Sequence, residues 1–239
     1  MPRFFVAKNQ IAKDGAVIVG TDVKHISNVL RMTCGEQITL CDGEGFDYTA
    51  VIENISKTQI NVKLTDKQKS LAEPDINIVL YQAVPKNAKM EYIIQKCTEL
   101  GVAEIVPVIS KRCIARSPEK YTRWQKIAQE AAKQSGRAII PQVAQAIHFS
   151  EAVLQMSKAE TAIMFYEQEQ KTGLKDVIGN GEFSQIAILI GPEGGFEPAE
   201  VLFAQQNNIH IVTLGKRILR TETAAAAVIP IIMYIKGQI

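Results

Sequence analysis

The sequence has few of the residues that mark metal-binding or disulfide-stabilised proteins. It contains four cysteines and three histidines in 239 residues, and no two cysteines form a C-x-x-C pair. Zinc sites use closely spaced cysteine and histidine ligands, so we predict no metal site. The thiols are expected to be free in a reducing cytoplasm, where disulfides are rare. They belong to Cys34, Cys41, Cys97 and Cys113.

Long hydrophobic runs are also absent. The longest, 224–235, has twelve residues and includes Pro230, whereas a helix needs roughly 20 apolar residues to span a bilayer. We therefore predict no membrane span but a buried helix, kinked or broken near the proline. The apolar run at the N-terminus is interrupted by Lys8, which makes it too short for a signal peptide.

The common nucleotide-binding motifs are missing as well. The sequence has no G-x-x-x-x-G-K-[ST] motif, and Gly-Pro-Glu-Gly at 191–194 does not match G-x-G-x-x-G. A phosphate cradle of either kind is therefore not predicted. The formal net charge of +2 does not by itself indicate any class of partner.

Positive charge is concentrated in one segment. Residues 111–137 carry eight basic and two acidic residues, a net charge of +6 in a chain whose total is +2. A concentrated basic segment on a nearly neutral protein is typical of binding to a polyanion. A solvated helix face would give the same pattern, and the sequence leaves both interpretations open.

Two stretches near the C-terminus have the features of ligand-binding loops. In 187–196 and in 214–223 a short apolar run leads into a glycine and then into polar residues that are compatible with a helix start. Parallel α/β sheets bind ligands at the carboxyl ends of their strands, where such loops lie. Gly191, Gly194 and Gly195 allow a close approach of backbone to ligand, although ordinary turn chemistry would also explain them. Either Thr221 or Thr223 could cap the last helix.

These two stretches resemble the paired signature of one family. The sequences I-G-P-E-G-G-F at 190–196 and L-G-K-R-I-L-R-T-E-T-A at 214–224 are similar to those of the SPOUT methyltransferases of the RsmE type. Members of this family methylate N3 of a uridine in 16S ribosomal RNA with S-adenosylmethionine. The resemblance implies an α/β fold in which a mostly parallel sheet forms a deep trefoil knot.

The same resemblance implies roles for individual residues. Arg220 is expected to polarise or orient the target base, and Glu222 to accept its proton, unless Glu222 pairs with Arg220 or Arg217 or caps the last helix. Pro192 and Thr221 are expected to shape the cofactor loops. The cofactor-binding positions implied by the motifs are Leu189, Gly191, Pro192, Glu193, Gly194, Leu214, Gly215, Ile218, Leu219 and Thr221.

The N-terminal third is predicted to be a separate β-rich domain, residues 1–71. Short β-branched runs at 16–19, 36–40, 48–53 and 59–64, with one helical stretch at 21–32, indicate a small barrel. The segment resembles the PUA-like RNA-binding domain of the same family. A polar linker at 67–74 would lead into the methyltransferase domain, residues 72–239.

In the second domain, strands and helices are predicted to alternate, as in a sheet covered on both faces. Predicted elements include a strand at 75–84, a helix that is stopped by Gly101, a strand at 104–109 and a helix capped by Ser117 with Pro118 in its first turn. Residues 167–175 are predicted to be a polar loop, variable or mobile.

The expected partner is 16S rRNA or the assembled small subunit. Candidate RNA contacts are Arg3, Arg31, Lys89, Arg112 and Arg137, although Arg31 could equally pair with a nearby acid. A homodimer is expected from the resemblance. An apolar stripe of the last helix could contribute to its interface or form core within the chain. That stripe consists of Val228, Ile229, Ile232 and Met233.

Two other functions remain open from the sequence. A SPOUT methyltransferase could act on another base or on a ribose 2′-hydroxyl, because specificity depends on surfaces that motifs do not define. A non-catalytic RNA-binding assembly factor could keep the same fold, although the intact Gly191–Gly194 and Arg220–Glu222 motifs argue against it.

Overall fold

The computed structural model describes residues 1–114, 121–179 and 183–239. By its contacts the chain divides into two compact units. Unit 1 comprises residues 1–73 and 132–140, and unit 2 comprises residues 74–131 and 141–239. The prediction that Ser117 and Pro118 begin a helix falls outside the described residues.

Unit 1 contains one five-stranded sheet with a short helical segment beside it. The α-helix α1 (Thr21–Lys24) continues into a π-helical turn, His25–Val29, and Lys8–Gln10 forms a 3-10 turn. The strands are β1 (Arg3–Phe5), β2 (Gly15–Val19), β3 (Gln37–Cys41), β4 (Phe46–Ile55) and β5 (Gln59–Lys69).

These strands are ordered β1-β3-β4-β5-β2, antiparallel except for the β1–β3 pair. Two register shifts in the long β4–β5 ladder mark bulges, which bend strands and favour the curled, barrel-like sheet that was predicted. Alternate residues such as Ile38, Leu40, Ile60 and Val62 fill its core.

One prediction in this unit was wrong. The linker was expected to begin at Lys67, but β5 continues through Lys69, which pairs with Phe46. The polar run of lysines and glutamine was read as a linker because it lacks apolar residues. On a paired strand the same residues are simply exposed.

Unit 2 alternates strands and helices, as predicted. Its helices are α2 (Lys89–Glu99), α3 (Tyr121–Ser135, whose last residues belong to unit 1), α4 (Phe149–Met156), α5 (Leu174–Ile178), α6 (Pro198–Gln206) and α7 (Thr221–Ile235). Its strands are β6 (Asn77–Ala83), β7 (Glu104–Ile109), β8 (Gln142–Val143), β9 (Ile147–His148), β10 (Thr161–Phe165), β11 (Gln185–Ile190) and β12 (His210–Val212).

All pairings within this sheet are parallel, in the order β12-β10-β11-β6-β7-β8, with β9 also on β7. The central strands are nearly continuous apolar runs because helices cover both faces. Residues 186–190 of β11 are all buried. The prediction of an α/β fold with a mostly parallel sheet is confirmed, whereas the knot implied by the resemblance stays a prediction.

The last helix spans 221–235 with Pro230 inside it. Val228, Ile229, Ile232 and Met233 are all buried within the chain, so the apolar stripe serves as core. Among the described residues, no helix is long and apolar enough to cross a membrane.

The four thiols lie in different surroundings. Cys34 is exposed and Cys113 is partly buried, whereas Cys41 and Cys97 are buried. Burial raises the pKa of Cys41 to about 12 and also raises that of Cys97.

Candidate functional site

The topology brings three loops together at one edge of the unit 2 sheet. β10 lies between β12 and β11, so the segments that follow these three parallel strands emerge side by side at their carboxyl ends. They are residues 166–173 after β10, 191–197 after β11 and 213–220 after β12. The two glycine-containing stretches singled out in the sequence supply two of these loops. Ligands in open α/β sheets bind at such an edge.

The three loops enclose a pocket of about 870 Å³, here called the loop pocket. This volume lies within the range of pockets that hold small-molecule ligands and cofactors. Its walls come from all three loops, the start of α7 and one side chain from α2. The lining residues are Lys89, 165–167, 169, 170, 190–195, 213–221 and Ala224.

The loop after β11 is tightly packed where it leaves the strand. A Cβ atom on Gly191 would lie 2.9 Å from the ring of Phe196, which is fully buried. The backbone amide of Gly195 donates to the carbonyl of Pro192 at 3.0 Å, and Gly195 has a φ of 65°. These positions require glycine because a side chain would clash or strain the turn.

α6 begins immediately after this loop, as predicted. Pro198 is in its first turn, and the carboxylate of Glu200 accepts from the backbone amide of Glu197 at 2.9 Å. The second oxygen of Glu200 accepts from the amide of Lys111, which ties the end of the loop to the segment after β7. The loop is thus fixed at both ends.

Thr221 joins the start of α7 to the glycine loop. Its hydroxyl donates to the carbonyl of Gly191 at 2.6 Å and accepts from Nε2 of Gln82 at 2.9 Å. The prediction that a threonine caps the last helix was wrong for Thr221. Arg220 is the N-cap residue, and its side chain makes no capping hydrogen bond. The Thr221 hydroxyl instead bonds the carbonyl of Gly191.

The loop after β10 is held by its own acidic side chain. Oε1 of Glu169 accepts from the backbone amides of Gln170, Lys171 and Thr172 at 2.7 to 3.1 Å. The bonds from Thr172 and Lys171 contribute most to a lowered pKa of Glu169. Backbone hydrogen bonds also join this loop to β12 and its loop, from Tyr166 to Val212 and from Thr213 to Thr172.

Lys89 is the pocket residue that comes from α2. Its Nζ lies 2.9 Å from Oε1 of Glu193 in the glycine loop and 3.4 Å from Oε2 of Glu222 in α7. Oε2 of Glu222 is buried, and its described contact is the ion pair with Lys89. The backbone amide of Lys86 also points at the Glu193 carboxylate, at 3.3 Å.

These contacts shift two pKa values in opposite directions. The hydrogen bond to Glu193 is the main cause of a raised pKa for Lys89, reinforced by the charges of Glu193 and Glu222. Partial desolvation acts to raise the pKa of Glu193, but the hydrogen bonds from Lys89 and from backbone amides outweigh it, and the pKa is lowered. Both groups are therefore charged at neutral pH.

All but one of the predicted cofactor-binding residues line the loop pocket. Leu189 is fully buried in the core of the sheet and does not line the loop pocket, because it is still inside β11. The others line it: Gly191, Pro192, Glu193, Gly194, Leu214, Gly215, Ile218, Leu219 and Thr221.

The two predicted catalytic residues are placed differently. Arg220 is exposed and lines the loop pocket. Glu222 is not among the lining residues, and it contacts Lys89 rather than the arginines that the sequence suggested as its partners. The alternative interpretation, in which Glu222 forms an ion pair, is therefore supported by a contact, but the partner is Lys89.

The predicted RNA contacts also differ in accessibility. Arg112 is exposed and donates to the carbonyl of Gly194 at 2.8 Å, and Arg31 is exposed with a φ of 54°. Arg3 forms a bidentate pair with the buried Asp47. Arg137 is 3% exposed and bound by Glu73 at 2.8 Å, so its guanidinium is out of reach of a ligand, and we do not retain it as an RNA contact.

The residues that the sequence analysis missed are in the loop after β10. Tyr166, Glu167 and Glu169 line the pocket, whereas 167–175 was expected only to be a polar loop, variable or mobile. The segment has no glycine motif to draw attention to it. Its position after the predicted strand 161–165 was the available signal, because loops at the carboxyl ends of parallel strands meet.

The sequence of this chain matches two family models. The family model of the RNA methyltransferase domain matches residues 72–233, and that of the RNA methyltransferase PUA domain matches residues 19–65. The chain belongs to the RNA methyltransferase family. The resemblance stated from the two glycine-containing motifs is thereby confirmed.

Relatives of this RNA methyltransferase match nearly its whole length. It is 33% identical to Ribosomal RNA small subunit methyltransferase E of Bacillus subtilis strain 168, over 98% of this chain and 96% of the relative. It is 32% identical to the enzyme of that name from Mesomycoplasma hyopneumoniae strain 232, over 94% and 96%.

A solved structure extends the match to three dimensions. A crystal structure of Ribosomal RNA small subunit methyltransferase E from Neisseria gonorrhoeae, bound to S-adenosyl methionine, superimposes with a TM-score of 0.89. The two sequences are 36% identical, and the alignment covers 98% of each chain. The methyltransferase fold of this chain therefore corresponds to that structure from end to end.

Proposed function

We propose that this RNA methyltransferase transfers a methyl group from S-adenosylmethionine to N3 of a uridine in 16S ribosomal RNA. The observation that carries the proposal is the loop pocket, which gathers nine of the ten cofactor positions implied by the motif resemblance. The relatives named for small-subunit ribosomal RNA methylation and the relative bound to S-adenosyl methionine support the same assignment.

The loop pocket fits this donor in size and in chemistry. Its volume of about 870 Å³ leaves room for the donor and for part of a nucleotide. Gly191, Gly194 and Gly215 line the pocket, where their lack of side chains allows a close approach of the backbone to a ligand. Leu214, Ile218 and Leu219 provide apolar surface for an adenine ring, and Glu169 provides a carboxylate for a cationic or hydroxyl group.

When bound, S-adenosylmethionine supplies a methyl group on a positively charged sulfur. The protein must hold the acceptor nitrogen in line with this group, and positioning alone contributes about 7 to 11 kcal/mol to such reactions. Overall, the N3–H bond is exchanged for an N3–methyl bond, N3 releases its proton, and the electron pair of the broken carbon–sulfur bond stays on sulfur. We assign Arg220 to orienting the uracil, because it is a cation at the pocket wall.

The remaining partners follow from the same assignment. We propose that exposed Arg31 and Arg112 contact RNA phosphates, that residues 1–71 act as the RNA-binding domain and that residues 72–239 act as the methyltransferase domain, which is knotted. The enzyme is proposed to be a cytoplasmic homodimer. Exposed apolar residues on α7, Ile231 and Tyr234, are available for the dimer contact.

The test is a methylation assay with a defined product. Purified protein is incubated with labelled S-adenosylmethionine and with either naked 16S rRNA or small subunits from cells that lack the modification. The RNA is then digested and the nucleosides are identified by mass spectrometry. Label in 3-methyluridine supports the proposal and shows whether subunit assembly is required.

Other outcomes would point to the alternatives. Label in another base or in a ribose would identify a SPOUT methyltransferase of different specificity. Absence of label together with absence of donor binding in calorimetry would indicate a non-catalytic assembly factor and contradict the proposed function.

A further inference from the structure

Lys89 occupies a position in the loop pocket that the glycine motifs do not account for. It is the first residue of α2 and follows β6, the neighbour of β11 in the sheet. From there its side chain reaches carboxylates on both motif segments, Glu193 and Glu222. It is thus the one lysine for which the described contacts link the two motif segments.

The charge of Lys89 is fixed by these contacts. Its raised pKa keeps the amine protonated at physiological pH, so Lys89 is a hydrogen-bond donor there and not a base. An ammonium group has three N–H donors. Glu193 and Glu222 can take one each, while 30% of the side chain remains exposed. At least one N–H is therefore available to a ligand in the pocket.

Glu222 supports Lys89 from behind. Its Oε2 is buried and lies 3.4 Å from the ammonium, and Glu222 itself does not line the pocket. A nucleobase in the loop pocket would therefore contact Lys89 before it reached the Glu222 carboxylate. Two carboxylates on separate segments thus hold the ammonium in place, which preorganises it before the substrate arrives.

The chemistry at N3 of uracil needs such a donor. The nitrogen carries a proton and lies between two carbonyl groups, so loss of the proton spreads negative charge onto both carbonyl oxygens. A fixed cationic donor next to one of them stabilises the anion, which is the nucleophilic form. Arg220 is a second cation at the wall, but it is exposed at a helix N-cap and no carboxylate is seen to fix its guanidinium in the described contacts.

We propose that Lys89 is a further catalytic residue. Resting on the function proposed above, it donates a hydrogen bond from Nζ to a carbonyl oxygen of the target uracil and stabilises the N3 anion that accepts the methyl group. The proton of N3 goes to solvent. Glu193 and Glu222 are positioning residues, since they act through Lys89.

The experiment compares Lys89→Met and Lys89→Arg with wild type in single-turnover methylation. A matched control is Lys86→Met, which removes an exposed lysine three positions earlier whose backbone, not side chain, contacts Glu193. Small subunits are reconstituted with transcripts made from uridine or from 5-fluorouridine, in which fluorine makes N3 more acidic. Donor affinity is measured separately by calorimetry.

We expect Lys89→Met to slow methylation of uridine by about 10²- to 10³-fold, the usual effect of removing one donor to a developing anion. The loss should be much smaller on 5-fluorouridine, and the pH–rate profile on uridine should move to higher pH. Lys89→Arg should retain part of the rate, and Lys86→Met should resemble wild type.

An equal loss on both substrates, or a loss that is explained by weaker donor binding, would overturn the proposal and leave Lys89 as a clamp between the loops. If Lys89→Met does not fold, Glu222→Gln serves in its place, because it leaves Lys89 present but less firmly held and should show the same dependence on substrate. Failure of wild type to form 3-methyluridine would instead reject the proposed function.

Discussion

The hydroxyl of Thr221 donates to the carbonyl oxygen of Gly191 across 30 residues of sequence, at 2.6 Å. The bond connects the first residue of α7 with the first residue of the glycine loop, and Gln82 on β6 fixes the hydroxyl from the other side. It is a neutral, partly buried link between two of the segments that line the loop pocket.

Replacing Thr221 by valine should weaken donor binding. Valine has nearly the same shape, but it leaves the Gly191 carbonyl without its donor in a partly buried place, a loss of about 1 to 3 kcal/mol. We expect a roughly ten-fold or larger rise in the dissociation constant for S-adenosylmethionine, measured by calorimetry. Thr221→Ser keeps the hydroxyl and should bind nearly as wild type. Equal affinities for the valine and serine variants would show that the bond does not shape the pocket.

Gly191→Ala should destabilise the protein more than Gly194→Ala. The new Cβ at position 191 would lie 2.9 Å from the Phe196 ring, whereas at 194 it would meet Arg112 at an ordinary 3.4 Å. Overpacking of this kind costs about 1 to 3 kcal/mol. Urea unfolding of the two variants measures the difference, and similar midpoints would mean that the loop can shift away from Phe196.

The ion pair between Lys89 and Glu193, and the shape that it gives the cofactor pocket, should not change with pH near neutrality. The pKa of Lys89 is raised above 10.5, so its contribution is present below that pH and is lost as pH rises through the folded value. The pKa of Glu193 is lowered below 4.5, so its contribution is present above that pH and is lost as pH falls through the folded value. Calorimetry at about pH 6 to 9 should therefore give a constant affinity for S-adenosylmethionine. A titration of either group within this window would contradict the shifts, because its pKa would then have moved from the ordinary value in the direction opposite to the one that its contacts favour.

Arg220→Ala should keep donor binding and lose turnover. Arg220 lies at the pocket wall as an exposed N-cap residue without a side-chain cap, so its removal should leave the fold intact. We expect kcat to fall by about 10²-fold or more. Paired measurements of donor affinity and single-turnover rate provide the check. Activity close to wild type would remove Arg220 from the mechanism.

Arg137→Met and Arg31→Gln should affect different properties, the first stability and the second RNA affinity. Arg137 and Glu73 form a buried pair, and loss of one partner typically costs about 3 to 5 kcal/mol, so Arg137→Met should lower the free energy of unfolding without a specific effect on RNA affinity. Arg31 is exposed, so Arg31→Gln should reduce RNA affinity at nearly unchanged stability. Urea unfolding and filter binding at one fixed salt concentration separate the two effects. A destabilised Arg31 variant would contradict this division.

The sequence predicted the parts of the site that depend on backbone conformation. Glycine, proline and acidic residues have local effects, so the loop at 191–197 and the start of α6 could be placed without a structure. Strand order could not be predicted in this way. It is strand order that puts the loop at 166–173 between the two glycine-containing loops, and a polar segment without a motif gave no local sign of that role.

Side-chain partners were the least predictable feature. Thr221 looked like a helix cap because threonine is favoured there, yet its hydroxyl bonds Gly191. Glu222 was expected near arginines in its own motif, but Lys89 lies closer in space. Arg137 looked accessible at the end of a helix, and only its contact with Glu73 shows that it is buried.

The unequal burial of the four thiols makes the enzyme suitable for site-selective labelling. Thiolates react with maleimides, so the buried Cys97 and Cys41, with their raised pKa values, should be protected in the folded state, whereas exposed Cys34 should react first. Cys34 lies three residues from Arg31, one of the proposed RNA contacts. A fluorophore attached there would report RNA binding by the native sequence, without any engineered cysteine.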